Sequence, residues 1–195
     1  PHAILVREES QYKTLEDLIK VMNAKPGKVS FSGSGRGTAN HLAQVWFDER
    51  LRAKSAYNGK KGTAAAVAAL LDEQVDASWA YTTGAVKYRD KLRMLAVAME
   101  KRHPKFPDVP TFRELGYDFV GGAYRGVAVP KSTTEKIRLK ISELFGRIGD
   151  DPAFKARKSE LGFVPLSIGY KDVPAFMTSR RVEYLPLARE AGLIE

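Results

Sequence analysis

Short apolar runs alternate with helix-like segments through the first half of the chain, and this alternation leaves few folds open. The run Ala3 to Val6 predicts a buried strand, and the segment from Thr14 to about Ala24 predicts a helix with its apolar residues on one face. Thr14 and Asp17 have the spacing of a capping box at the start of that helix. Alternating strands and helices of this kind predict an α/β fold with a mainly parallel sheet.

The same patterns predict the remaining elements. Further strands are expected at Val29 to Ser32, Val75 to Ala80, Leu92 to Ala98, Val127 to Pro130 and Phe163 to Ser167. Further helices are expected at Thr38 to Leu51, Thr63 to Glu73, Thr83 to Tyr88, a short one from Thr111 to Gly116, Thr134 to Ile148, Pro152 to Leu161 and Asp172 to Ala191. The chain is therefore expected to form an α/β lobe followed by a mostly helical segment.

Catalytic motifs fail on spacing. Ser34 lacks the glycines two positions before and after it that a nucleophile elbow needs. The glycines around it also lack the third glycine of a dinucleotide fingerprint. The chain has no cysteine, and its three histidines are far apart without a carboxylate pattern that suggests zinc. We therefore expect no enzyme activity, no cofactor and no metal site.

Basic side chains exceed acidic ones, with 32 Lys and Arg against 23 Asp and Glu, a formal net charge of +9. A basic balance permits anionic small molecules, nucleic acid or an acidic membrane surface as partners. The excess is spread along the chain and does not form a basic face with interleaved aromatics, which argues against a nucleic-acid partner.

Two glycine turns precede helices and indicate an anion site. A strand that leads through a glycine turn into a helix leaves backbone N–H groups unpaired at the positive end of the helix dipole. In an open α/β sheet such turns lie where ligands collect. Trp79 and Tyr81 end a strand at the same edge of the sheet. Their rings can either belong to the core or contact the ligand. The candidate binding residues are Ser34, Gly35, Gly37, Thr38, Gly62, Thr63, Ala64, Trp79 and Tyr81.

Several segments together resemble one family, and they run through nearly the whole chain. They are Tyr12 to Leu18, Ala24 to Lys28, Gly35 to Thr38 with His41 to Ala43, Gln74 to Asp76, Leu92 to Val97, Phe106 to Thr111, Tyr124 to Val127 and Ala191-Gly192. In order and spacing they resemble the Bug-type periplasmic solute-binding receptors of tripartite tricarboxylate transporters. Where the family usually has an aromatic residue before the lysine-glycine turn, this chain has Lys60. Where acidic or amide residues often follow the Val-Asp strand, it has Ala80 and Tyr81.

The resemblance implies a two-lobed, type II periplasmic-binding fold that closes on a small carboxylate: a dicarboxylate, a tricarboxylate or an acidic amino acid. It implies a periplasmic protein that works without chemistry and delivers its ligand to membrane subunits of the transporter. The two turns identified above match the family's turns at Ser34 to Thr38 and at Lys61 to Thr63.

On this mapping the chain begins near the crossing into the second lobe. Residues 1–124 are then that lobe, with a hinge-crossing strand at their start. Residues 125–195 are a returning strand and the helical part of the first lobe, without the strands on which they should pack. Exposed apolar faces on the helices after Ser132 predict self-association or exchange with another copy. The alternative is the effector-binding domain of a transcriptional regulator, which shares this lobe architecture and follows a DNA-binding helix-turn-helix.

Overall fold

The computed structural model describes all 195 residues, Pro1–Glu195. Five strands and seven helices follow one another along the chain. They are β1 (His2–Arg7), α1 (Leu15–Ala24), β2 (Ser30–Ser34), α2 (Ala39–Leu51), β3 (Ala56–Lys60), α3 (Thr63–Leu71), β4 (Ala77–Tyr81), α4 (Thr82–Lys87), β5 (Leu92–Val97), α5 (Glu135–Asp150), α6 (Pro152–Glu160) and α7 (Val173–Glu190). The predicted α/β class is confirmed. None of the helices has the length and the apolar run that crossing a bilayer requires.

The strands form one sheet in the order β3-β2-β4-β1-β5. β2 pairs in parallel with both β3 and β4, whereas β1 pairs antiparallel with β4 and β5. The prediction of a mainly parallel sheet therefore needs a correction: β1, between β4 and β5, runs against both neighbours, and only the other four strands share a direction. The run of buried residues in β1 fits a strand inside the sheet, because both of its faces are covered.

Helices cover both faces of the sheet, and the alternation of β1 supplies both cores. Ile4 and Val6 belong to the core on one face, with residues of α1 and α2. Ala3 and Leu5 belong to the core on the other face, with residues of α3 and α4. Aromatic rings fill the first core, where Trp79 stacks on Phe112 at a centroid distance of 5.8 Å.

Two compact units divide the chain: Pro1–Ala123 with Leu187–Glu195, and Tyr124–Pro186. The second unit contains several contacts between basic and aromatic side chains. Arg180 donates to the Tyr124 hydroxyl at 3.0 Å, and the Lys158 ammonium lies 4.5 Å from the centroid of the Phe163 ring. No residue of α5 or α6 is buried.

Three local predictions were wrong. Val127 to Pro130 and Phe163 to Ser167 form no strand, because neither has a neighbouring strand to accept its backbone hydrogen bonds. The returning strand expected at the start of residues 125–195 is thus absent. Thr111 to Gly116 forms turns instead of a helix, with one bridge from Thr111 to Val97. Conversely, the edge strand β3 (Ala56–Lys60) forms where no strand was predicted.

Candidate functional site

The first turn joins β2 to α2 at the carboxyl end of the strand. Gly37 has φ +80°, a left-handed conformation that favours glycine, and Thr38 is the N-cap residue. Thr38 makes no side-chain cap, unlike Thr14, which forms the predicted capping box on α1. The first helical hydrogen bond runs from Leu42 N to Thr38 O at 3.0 Å. The N–H groups of residues 39–41 precede it and have no partner within the helix.

The second turn joins β3 to α3 in the same way. Gly62 has φ +91° and makes no side-chain cap. Its own N–H donates to Lys60 O at 2.8 Å, so this glycine shapes the turn and is not a free donor. The first bond of the helix runs from Ala66 N to Gly62 O at 3.1 Å. The donors open to a ligand are therefore the N–H groups of residues 63–65, among which Ala64 is exposed.

The two turns lie side by side because β2 and β3 are parallel neighbours with Ser34 paired to Lys60. Gly59 allows their close approach, since a Cβ there would lie 3.3 Å from the Gly35 Cα. The hydroxyls of Ser34 and Thr63 are 3.2 Å apart and join one turn to the other. The structure thus brings together the predicted residues of both turns.

Two residues that were not predicted hold Ser34 in place. Asn40 Oδ1 accepts from the backbone N–H of Ser34 at 3.3 Å and from its hydroxyl at 2.5 Å. The Tyr57 hydroxyl donates to the Ser34 carbonyl at 2.5 Å. Burial raises the pKa of Tyr57, so its phenol stays a neutral donor. Thr38 Oγ1 lies near this phenol but forms no well-aligned hydrogen bond.

The two predicted aromatic residues have different places. Trp79 is fully buried in the core, and its Nε1 donates to Gln44 Oε1 at 2.7 Å. Neither its ring nor its N–H is therefore available to a ligand. Tyr81 ends β4 partly exposed and stacks on His2 at a centroid distance of 5.2 Å. His2 is itself buried beside these turns. Burial is the main cause that lowers the pKa of His2 to about 3.

Two of the basic side chains near the turns, Arg36 and Lys60, already have partners. Arg36 donates to Ala191 O at 2.6 Å, and Lys60 donates to Gln74 Oε1 at 3.1 Å. His41 accepts from the Gly37 N–H at 3.3 Å and lies against the Tyr57 ring, which makes it a structural residue. Chemically, the arrangement offers backbone donors and hydroxyls to an anion. No group of three His, Asp or Glu side chains is placed to hold a metal ion.

The sequence comparisons with known proteins agree on one family. The model of the tripartite tricarboxylate transporter receptor family, TctC, matches residues 1–193. A UPF0065 protein from the gbd 5' region of Cupriavidus necator is 30% identical over 192 residues, which are 97% of this chain and 58% of that protein.

Solved structures agree with this family. The periplasmic binding protein BugD is 28% identical and superposes with a TM-score of 0.86, over 98% of this chain and 66% of its own. MatC from Rhodopseudomonas palustris, solved with bound malate, is 25% identical with a TM-score of 0.79, over 100% of this chain and 66% of its own. The chain thus spans between about three fifths and two thirds of the length of these relatives. It belongs to the TctC family of tripartite tricarboxylate transporter receptors.

Proposed function

We propose that this chain is the ligand-binding part of a periplasmic receptor that captures a small carboxylate for a tripartite transporter. The receptors of its family bind solutes and are not enzymes. Family membership favours this function over the effector domain of a transcriptional regulator. The ligand is a dicarboxylate, a tricarboxylate or an acidic amino acid, and the receiving partners are the membrane subunits of the transporter.

One observation carries the proposal: two helices without side-chain caps begin next to each other at the carboxyl ends of neighbouring parallel strands. The N–H groups of residues 39–41 and 63–65 are left for a ligand, and each helix dipole adds partial positive charge. A carboxylate accepts several such hydrogen bonds at once. MatC, with its bound malate, supports a carboxylate ligand for this fold.

The proposed site keeps most of the residues expected from the sequence. Its backbone donors and hydroxyls come from the two turns, and Tyr81 borders them at the end of β4. Trp79 is left out because its ring is buried and its N–H already has an acceptor. The site residues are Ser34, Gly35, Gly37, Thr38, Gly62, Thr63, Ala64 and Tyr81.

The lobe assignment is also part of the proposal. Residues 1–124 are assigned to the second lobe of the receptor, and residues 125–195 to the helical part of the first. The apolar residues exposed in the second unit support self-association of this chain as given.

A charge placed at α3 tests the binding site. Ala64→Asp puts a carboxylate among the donors of residues 63–65, where it competes with an anionic ligand. Calorimetric titration with succinate and citrate, as probes of the dicarboxylate and tricarboxylate classes, should show an affinity at least about five-fold lower than in the neutral control Ala64→Asn.

Thermal unfolding of the two variants distinguishes misfolding from a loss of binding. An acidic residue in the first turn of a helix stabilises it, so Ala64→Asp should melt at or above the temperature of Ala64→Asn. Weaker binding together with undiminished stability supports the site. Equal affinities for the two variants, or no binding of either probe by the unmodified chain, would contradict the proposal.

A further inference from the structure

The hydroxyl proton of Ser34 has a fixed direction. The backbone N–H of Ser34 can only donate, so the Asn40 atom 3.3 Å from it is the amide oxygen. That same oxygen lies 2.5 Å from Ser34 Oγ. An amide oxygen has no proton to give, and therefore the Ser34 hydroxyl must donate its only proton to Asn40.

The other end of the Asn40 amide agrees with this orientation. With the oxygen directed to Ser34, the Asn40 Nδ2 group faces His2 Nδ1 at 3.5 Å. Both side chains are buried, with 0% and 1% of their surface exposed. A neutral imidazole that carries its proton on Nε2 offers a lone pair at Nδ1, as this contact requires. Burial, which lowers the pKa of His2 to about 3, keeps the ring neutral.

The hydrogen bond of Ser34 also fixes the direction in which the Thr63 hydroxyl donates. Their hydroxyl oxygens are 3.2 Å apart, and geometry alone allows either to donate. Because the Ser34 proton is committed to Asn40, the proton between them must come from Thr63. The Thr63 oxygen then has no proton left, only an acceptor lone pair. It offers this acceptor beside the backbone donors of residues 63–65.

We propose that the hydrogen-bond chain Thr63→Ser34→Asn40 makes the site select 2-hydroxycarboxylates. This inference rests on the proposed function and names the ligand class of that site. The ligand carboxylate takes the backbone N–H groups, and the hydroxyl on the adjacent carbon donates to Thr63 Oγ1. A ligand ammonium could also donate, but the positive end of α3 repels it.

Succinate and malate test the selectivity because they differ only by one hydroxyl. Calorimetric titration of the full chain with succinate and with each enantiomer of malate should show one enantiomer bound about five- to ten-fold more tightly than succinate. In Thr63→Val that ratio should fall to about one, whereas Thr63→Ser, which keeps the hydroxyl, should retain it.

The variant Ser34→Ala distinguishes selectivity set by the direction of the hydroxyl protons from a purely structural role of Ser34. Without Ser34 as acceptor, the Thr63 proton is free to donate to a carboxylate, which helps succinate as well, so the preference for malate should fall although Thr63 is intact. A purely structural role for Ser34 would weaken both ligands equally and keep their ratio.

The outcomes separate this inference from the function on which it rests. Equal affinity of the unmodified chain for succinate and both malates overturns the hydroxyl selectivity and leaves the carboxylate receptor standing. An unchanged ratio in Thr63→Val also overturns it. Failure of every one of these acids to bind overturns the proposed function itself.

Discussion

At the scale of single residues, His2 couples the fold to pH. Burial lowers the pKa of His2 to about 3, compared with an ordinary value near 6.5. Between these values the unfolded chain binds a proton that the folded chain does not. The free energy of unfolding therefore falls as the pH drops from 6.5 towards 3, and the contribution of neutral His2 is complete above pH 6.5.

Replacing His2 should remove this part of the pH dependence. His2→Phe keeps a ring against Tyr81 and Phe119 but cannot titrate. Urea unfolding should show the unmodified chain losing up to about 2 kcal/mol more than the variant between pH 6.5 and 5. The other histidines are common to both chains and cancel in the difference. Parallel pH profiles would show that His2 is not buried as described.

Gly33 is a second residue that the structure constrains, because its position has no room for a side chain. A Cβ at this position would lie 2.3 Å from the Tyr57 hydroxyl oxygen and 2.9 Å from Cζ of the same ring, which is held by its bond to Ser34. Gly33→Ala should lower the free energy of unfolding by about 1 to 3 kcal/mol. Gly35→Ala is the matched control, because its Cβ would meet only Lys60 O, at 3.7 Å. Similar losses in the two variants, measured by urea titration, would count against this steric explanation.

At the scale of elements, one side chain ties α2 to the sheet and to the start of β3. Gln44 accepts from Trp79 Nε1 of β4 at 2.7 Å, and its own amide group donates to Asp48 and to Ser55, just before β3. Burial raises the pKa of the Asp48 carboxyl, although bonds from Ser55 and Gln44 oppose this. This network fixes the position of α2 against the strands that end at the site.

Breaking the network should show coupling between Gln44 and Trp79. Gln44→Leu leaves the buried indole N–H without its acceptor and should cost about 1 to 3 kcal/mol of unfolding free energy. Trp79→Phe removes the donor as well as part of the ring. In chemical denaturation the double variant should therefore lose less than the sum of the two single losses. Strict additivity would contradict the bond.

Element prediction succeeded where apolar runs are buried on both faces. β1 follows a continuous apolar run, and the runs of β4 and β5 are interrupted only by Ser78 and Arg93. α1 has both a one-sided pattern and a capping box. β3 escaped prediction because this edge strand has no fully buried residue and carries Gly59. Val127 to Val129 has a strand composition, but composition does not supply a pairing partner. The direction of β1 depends on pairings distant in sequence, which no local pattern contains.

Prediction of the site residues was limited in a similar way, to features that follow from local sequence. The glycine turns indicated both helix starts, because backbone N–H groups follow from the turn itself. Asn40 and Tyr57 were missed because their role depends on the approach of one turn to the other, which only the β2–β3 register creates. The sequence signal that could have identified Asn40 is an asparagine in the first turn of a helix that follows a glycine turn.

At the scale of the whole molecule, the two units differ in how they bury apolar surface. The first unit has a core on each face of its sheet. In the second, several large apolar side chains are exposed, among them Val182 at 72% and Leu166 at 62%. Apolar surface on this scale favours association with another protein surface.

We expect the isolated chain to self-associate through its second unit. Sedimentation velocity over a range of concentrations should show a weight-average coefficient that rises with concentration. Val182→Glu, which adds one negative charge to an exposed apolar position, should reduce that rise. Lys20→Gln on α1 changes the net charge by the same amount and should leave it unchanged. A coefficient independent of concentration would contradict self-association.

The place of β1 between β4 and β5 also has a consequence for the speed of folding. Three helices and two strands separate β1 from β4 along the chain, and its other partner, β5, comes one helix later still. Closing such long loops has an entropic cost before any sheet hydrogen bond compensates for it, and high contact order slows folding. The parallel β2–β3 pair can form early with only α2 between its strands. The two glycine turns can thus be assembled before residues 2–7 join the other half of the sheet.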